Sequence, residues 1–444
     1  MRNLVVQKFG GTSVGSPQRM KEVAHLILNG EKNLVVLSAM SGTTNSLVEI
    51  ADYYSKGNTE SAKILINRLR TKYHKHVEEL YSTDSMNQAT LHFLYEIFNR
   101  LLTIVNNKSL TVDEEKEILS KGELMSTNMM TNYLQEQGVK VTLLSAFDFM
   151  RIDQNREPDT KFIHDRIRPL LKEHADTQIF ITQGFICLNM EGHIDNLQRG
   201  GSDYTASLIG AAIQAEEIQI WTDIDGMHNN DPRFVEHTQP VHQLHFEEAA
   251  ELAYFGAKIL HPTCVQPAKF AGVPVRLLNT MDPKAEGTMI NNHSEEGKIK
   301  AVAAKDNITV IKIVSSRMLL ATGFLRKVFE IFEQYHTSID VVTTSEVGVS
   351  MSIDNDAYLA NIVEELKKYG IVEVEKDMCI VCVVGDLRPC NKGFISAITN
   401  SLQDISIRMV SYGGSNHNIS FIVHKDDKQQ ALQALSNHIF NQDN

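Results

Sequence analysis

The stretch Leu4-Val5-Val6-Gln7-Lys8-Phe9-Gly10-Gly11-Thr12-Ser13-Val14-Gly15 reads as a strand that carries a cation near its end and then breaks into a glycine turn. A second pair of glycines, in Gln198-Arg199-Gly200-Gly201-Ser202-Asp203, also follows a strand and opens a helix. Backbone N–H groups at a helix start point outward with partial positive charge. Glycine has no Cβ to keep an anion away from that backbone. Lys8 and Arg199 add full charges, so the two turns together make a place for anions. The flanking pattern of strand, turn, helix and buried strand (Asn33–Ala39) predicts a βαβ start and a parallel sheet.

Outward from this start, residues 46–136 read as helical, with apolar spacing through Ile64, Leu65, Leu69, Leu80, Leu94 and Ile97. Alternation resumes with strands at 139–144, 177–182 and 217–222 and helices at 203–215 and 246–260, and Pro262, Pro267 and Pro274 punctuate the end of the region. After about residue 300 the period changes. Ile308–Val314 and Met378–Val384 are matched strands, Gly323-Phe324-Leu325 and Gly393-Phe394-Ile395 open matched helices, and Ser338–Val342 matches Ser406–Val410. This is a tandem βαββαβ repeat, expected to be a pair of small ligand-sensing or dimerising modules.

Composition narrows the function. At 444 residues about three domains are expected. A net charge of −12 without a Lys/Arg block argues against a nucleic-acid or membrane partner. No apolar run approaches the ~18 residues of a membrane span, and Leu4-Val5-Val6 is too short for a signal-peptide core, so a cytoplasmic protein is expected. The five cysteines are scattered. Cys379 and Cys382 sit three apart on a strand and point to opposite faces, which predicts core cysteines and no metal clip. His237, His242 and His245 lack zinc-site spacing and read as a solvated loop.

The chemistry-bearing positions are few. Lys8 lies where open α/β sheets bind ligands, at the carboxyl end of a strand. No Walker A loop or protein-kinase signature occurs. Arg199 offers a planar fork for a carboxylate, and Asp203 either caps its helix or orients Lys8. Trp221-Thr222-Asp223, followed by His228 and Asp231-Pro232-Arg233, suits a ribose and phosphates, or is a plain turn with capping aspartates. Lys258 either closes a helix or meets phosphate. Ser120–Ser126 sets Glu123 in a glycine kink among helices, where an acid is either at the surface or receives an ammonium.

These motifs together resemble those of the aspartate kinases. Lys8–Val14, Ser120–Met125, Thr182–Phe185, Arg199–Thr205, Trp221–Asp223, Asp231–Arg233 and Phe255–Lys258 follow the family's order over nearly the whole chain. The resemblance implies ATP-dependent phosphorylation of the side-chain carboxylate of L-aspartate, with Mg²⁺ accompanying ATP and no protein metal ligand. It implies an α/β amino-acid-kinase fold for residues 1–295, an open, mainly parallel sheet between helical layers. Two ferredoxin-like ACT domains would follow at 305–375 and 376–444, the latter completed by a strand from 299–304.

Carried over by position, Lys8 and Asp203 look catalytic. Thr44, Glu123, Arg199 and Ser202 look like aspartate-binding residues, and Gly10, Gly11, Thr222, Asp223, His228, Arg233 and Lys258 like ATP-binding ones. Met318, Gly323, Phe324, Leu325, Ser338, Ile339, Asp340, Thr344, Ser345 and Glu346 resemble the effector site of lysine-sensitive members, where Asp340 and Glu346 suit a cationic ligand. A homodimer through ACT domains is expected. His228 stands where many members place tyrosine, and Met40-Ser41 replaces a more usual small pair. Two other readings stay open: phosphorylation of glutamate or N-acetylglutamate, and a non-catalytic amino-acid sensor.

Overall fold

The computed structural model describes residues 4–107, 109–197, 200–256, 261–318 and 322–440. They form two units, one of Met1–Met227 with Ile259–Asn292, the other of His228–Lys258 with His293–Asn444.

In the first unit, strands lie side by side in the order Val141–Leu144, Ile179–Gln183, Lys32–Leu37, Leu4–Phe9, Ile218–Thr222, Val275–Asn279 and Thr288–Asn291. All neighbours are parallel except the last pair. Their near-continuous apolar runs are those of strands covered on both faces. The chain leaves Leu4–Phe9 toward one side of the sheet and leaves Ile218–Thr222 toward the other. The crevice between these two carboxyl ends is therefore the topological switch point.

The long helical segment folds as Thr43–Ser55, Thr59–Leu80, Asp84–Val105 and Val112–Glu136. The expected glycine kink at Glu123 is absent: Val112–Glu136 is one helix of 25 residues. Gly122 serves close packing instead, since a Cβ there would lie 2.6 Å from the Ala39 Cβ. The helix expected over 246–260 ends at Tyr254, and Pro262 opens a new helix, Pro262–Ala271, at a position where its missing N–H costs nothing.

The second unit is built on one antiparallel sheet in the order Val342–Thr344, Gly348–Ile353, Ile299–Val314, Ile371–Gly385, Asn418–His424 and Ile407–Tyr412. The two matched strands of the repeat are longer than their apolar runs suggest, with 16 residues in Ile299–Val314 and 15 in Ile371–Gly385. Each passes through both halves of the sheet. Ala301–Ala304 pairs with Val384–Val381, and Val310–Val314 pairs with Glu375–Ile371. Each strand turns at a left-handed residue, Asn307 (φ 60) or Asp377 (φ 62), at equivalent places in the repeat. Asn and Asp accept this conformation better than other side chains.

One core gathers Ile311, Phe324, Val328, Met351 and Leu366 on one half; another gathers Val381, Ile398, Phe421 and Leu435 on the other. Cys379 and Cys382 are both buried, as their strand position predicts, and burial pushes the Cys379 thiol up to about 12. No described helix is long and apolar enough to cross a membrane.

Candidate active site

Lys8 reaches the switch point from the end of its strand. Its Nζ lies 2.6 Å from the Asp203 carboxylate, with both side chains largely buried. Asp203 is in the first turn of helix Gly201–Ile213, and no side chain caps that helix. Asp203 is thus ion-paired with the lysine, and the helix start has no side-chain cap. The helix starts after Gly200, whose φ of 75 favours glycine.

The first glycine turn is held from both sides. Ser13 N donates to the Gly10 carbonyl (3.0 Å), and Ser41 N donates to that of Gly11 (3.0 Å). A Cβ on Gly11 would stand 2.8 Å from the Ala39 carbonyl oxygen, while one on Gly10 would meet Lys8 Nζ at 3.4 Å. A side chain at Gly11 would therefore crowd the loop, whereas one at Gly10 would only rest against the amine. Phe9 stacks on Trp221 with centroids 5.7 Å apart. Thr222, at the end of that strand, accepts from Ile224 N (3.1 Å), and Asp223 is exposed.

Glu123 is 3% exposed. One carboxylate oxygen accepts from Ala39 N (3.1 Å), and the other is buried without a partner among the described residues. Burial raises its pKa to about 8, against the opposing Ala39 hydrogen bond. A half-satisfied carboxyl of this kind is suited to an incoming ammonium. Thr44 sits in the first turn of helix Thr43–Ser55. Ser202 packs so closely on Gly184 that a Cβ there would lie 2.4 Å from Ser202 Oγ. The structure thus brings Lys8, Gly10, Gly11, Thr44, Glu123, Ser202, Asp203, Thr222 and Asp223 into the first unit. Arg199 and Lys258 lie outside the described residues.

His228 and Arg233 belong to the second unit. His228 Nδ1 pairs with Thr238 Oγ1 (2.8 Å). The Arg233 fork closes on Asp231 through Nε (3.0 Å) and a terminal nitrogen (2.6 Å). The side chain of the half-buried Asp340 is covered and already holds a cation: Lys305 Nζ lies 2.9 Å from its carboxylate, which also accepts from Tyr254 OH at 2.5 Å. Lys305 bridges on to Asp354 at 2.9 Å. Gly323, at φ 87, precedes helix Phe324–Gln334, in which Phe324 is buried and Leu325 exposed. Met318 ends a short 3₁₀ turn, and Ile339 packs beside the same core. Ser338, Thr344, Ser345 and Glu346 are exposed.

His245 is not part of a solvated loop. It begins helix Phe246–Tyr254, accepting from Glu247 N, and stacks on the buried His417 at 5.4 Å. His417 Nε2 meets Glu247 at 3.2 Å. This trio has metal-compatible spacing, but His245 Nδ1 is engaged in starting the helix.

The amino acid kinase family model matches residues 3–279, and an ACT domain model matches 381–439. The lysine-sensitive aspartokinase 3 of Escherichia coli is 34% identical over 99% of this chain and 100% of its own length. The chloroplastic aspartokinase 1 of Arabidopsis thaliana is 36% identical over 98% of this chain and 80% of its own. The crystal structure of E. coli aspartokinase III with aspartate and ADP superposes with a TM-score of 0.84 at 33% identity, covering 98% of this chain and 100% of that one. The same enzyme with lysine and aspartate gives 0.81 at 34% identity over 99% and 100%.

Proposed function

Because the chain belongs to the aspartokinase family, we propose that Lys8 and Asp203 form the catalytic pair of its reaction. The chain is an aspartate kinase: it transfers the γ-phosphoryl group of ATP to the side-chain carboxylate of L-aspartate, giving 4-phospho-L-aspartate. The observation that carries the site reading is the 2.6 Å Lys8–Asp203 pair at the switch point, flanked by Gly10 and Gly11.

The nucleophile needs no general base, since a carboxylate with an ordinary pKa near 3.9 is ionised at neutral pH. The protein's task is to align two anions and offset charge on the moving phosphoryl group. Lys8 supplies that charge, and Asp203 fixes where its ammonium points. Gly10, Gly11, Thr222, Asp223, His228, Arg233 and Lys258 hold ATP, whose Mg²⁺ is bound chiefly by phosphate oxygens and water. Glu123 takes the α-ammonium, Arg199 the α-carboxylate, and Thr44 and Ser202 complete the aspartate site. The half-paired carboxyl of Glu123 supports this division, and N-acetylated acids, having no ammonium, are disfavoured by it.

We assign catalysis to residues 1–295 and two ACT domains to 305–375 and 376–444, the second completed by 299–304, in keeping with the strand pairing above. Lysine is the proposed effector at Met318, Gly323–Leu325, Ser338–Asp340 and Thr344–Glu346. Its ammonium has to share Asp340 with Lys305. A homodimer through the ACT domains carries the signal. The five free cysteines suit a reducing cytoplasm.

One assay tests the reading. Purified protein with ATP and aspartate, glutamate or N-acetylglutamate is trapped with hydroxylamine. The hydroxamate is expected from aspartate alone; equal product from another acid defeats the substrate assignment. A rate unmoved by millimolar lysine defeats the effector assignment.

A further inference from the structure

A concavity of about 350 Å³ in the first unit is bordered by Lys116, Arg156, Phe185, Asn196, Gly200 and Gly201. It opens at the start of helix Gly201–Ile213, two residues before Asp203. Leu119, one helical turn before Glu123, lines the same space. The sequence motifs did not point to Asn196.

Asn196 is 5% exposed at the end of the short strand Ile194–Asn196. Its side-chain nitrogen and oxygen are both buried, and neither has a partner among the described residues. An amide offers two donors and an acceptor, and a folded chain rarely leaves all of them unmade. The surroundings are positive. Lys116 Nζ (3.4 Å) and an Arg156 nitrogen (3.2 Å) converge on one oxygen of Asp195, so two cations face one anion. The helix start adds its own partial positive charge. Arg156 (φ 63) and Phe185 (φ 68) are two of the six described non-glycine residues with positive φ. Such conformations persist where the surroundings hold them, and they collect at ligand sites.

We infer that Asn196 is a substrate-binding residue that reads the α-amino-acid end of aspartate, its Nδ2 donating to the α-carboxylate and its Oδ1 accepting from the α-ammonium. The inference rests on the aspartate site proposed above and extends it. A zwitterionic α-amino acid presents an acceptor and a donor on neighbouring atoms, which is the complement of one amide. The excess positive charge selects for the carboxylate, and the amide adds selection for the ammonium beside it.

Asn196→Leu keeps the branched shape and removes both polar atoms. It is expected to raise the KM for aspartate about tenfold or more while kcat and the KM for ATP stay within about twofold. The melting temperature should hold or rise, because an unpaired buried amide is removed. A merely structural asparagine would show the reverse, a lower melting temperature with KM unchanged. Asn196→Asp, which brings a negative charge toward the α-carboxylate, is expected to weaken aspartate further and provides the test if the leucine variant does not fold. An aspartate KM within about twofold of wild type in the folded variants, or a change in the KM for ATP instead, overturns the inference. Arg199→Ala and Ser202→Ala run alongside. If they raise the aspartate KM and Asn196→Leu does not, only the role of Asn196 falls. If none of the three does, the aspartate site itself is misplaced.

Discussion

Glu123 carries an acid whose pKa burial lifts from 4.5 to about 8. In the proposed role it must be ionised when aspartate is bound, so binding releases a proton at pH values below about 8. Calorimetry in buffers of different ionisation enthalpy checks this, and Glu123→Gln should abolish the release. The stability linkage has a definite sign. The folded state holds a proton that the unfolded state loses above pH 4.5, so this group's contribution is fully present below 4.5 and is lost as pH rises toward 8. Glu123→Gln should therefore flatten the decline in melting temperature across that window; an unchanged slope contradicts the shift.

Lys8→Ala should lower kcat by about 10²–10³-fold, the usual effect of losing one charge-stabilising donor, with little change in aspartate KM. Equal effects on both constants would reassign it. Lys8 and the glycines were legible because a cation and a turn adjacent in sequence stay adjacent in space. The burial of Glu123 was not, since it depends on Ala39, 84 positions away.

Between elements, contact distance decides. Gly122 lies inside a helix where alanine would gain about 0.5–1 kcal/mol of intrinsic preference. Its Cβ, however, would stand 2.6 Å from that of Ala39, and such overpacking costs about 1–3 kcal/mol. The clash wins. Gly122→Ala is expected to lower the melting temperature and, by displacing the loop that holds Glu123, to raise the aspartate KM. A stabilised variant with normal KM would show that the loop yields freely. The glycine suggested a kink in the sequence because propensity is local, whereas its packing partner comes from another part of the chain. In the same way, Lys305-Asp306-Asn307 has the polarity of a turn. It lies within a strand, because the partner Ile371–Gly385 bends with it at Asp377.

Across the molecule, the repeat does not fold as two separate beads. Ile299–Val314 and Ile371–Gly385 run through both halves of one sheet, so neither half closes its core without the other's strand. Leu435→Ala, a fully buried site in the second half, should cost about 2–5 kcal/mol. Hydrogen exchange is expected to report equal loss of protection at Gly348–Ile353 in the first half, as in one cooperative unit. Loss confined to residues 378–439 would make the halves independent. The repeat itself was readable from matched glycines and apolar runs. Their fusion into one sheet was not, because backbone pairing leaves no local mark in the sequence.

The chain has one tryptophan, and it stands at the switch point. Trp221 is 7% exposed, stacked on Phe9, with its carbonyl beside Gly10. The red-edge emission of the whole protein therefore comes from a single indole at the proposed nucleotide end of the sheet. Titrating ATP or an analogue into unlabelled enzyme should change its intensity, giving the site an optical gauge that needs no dye.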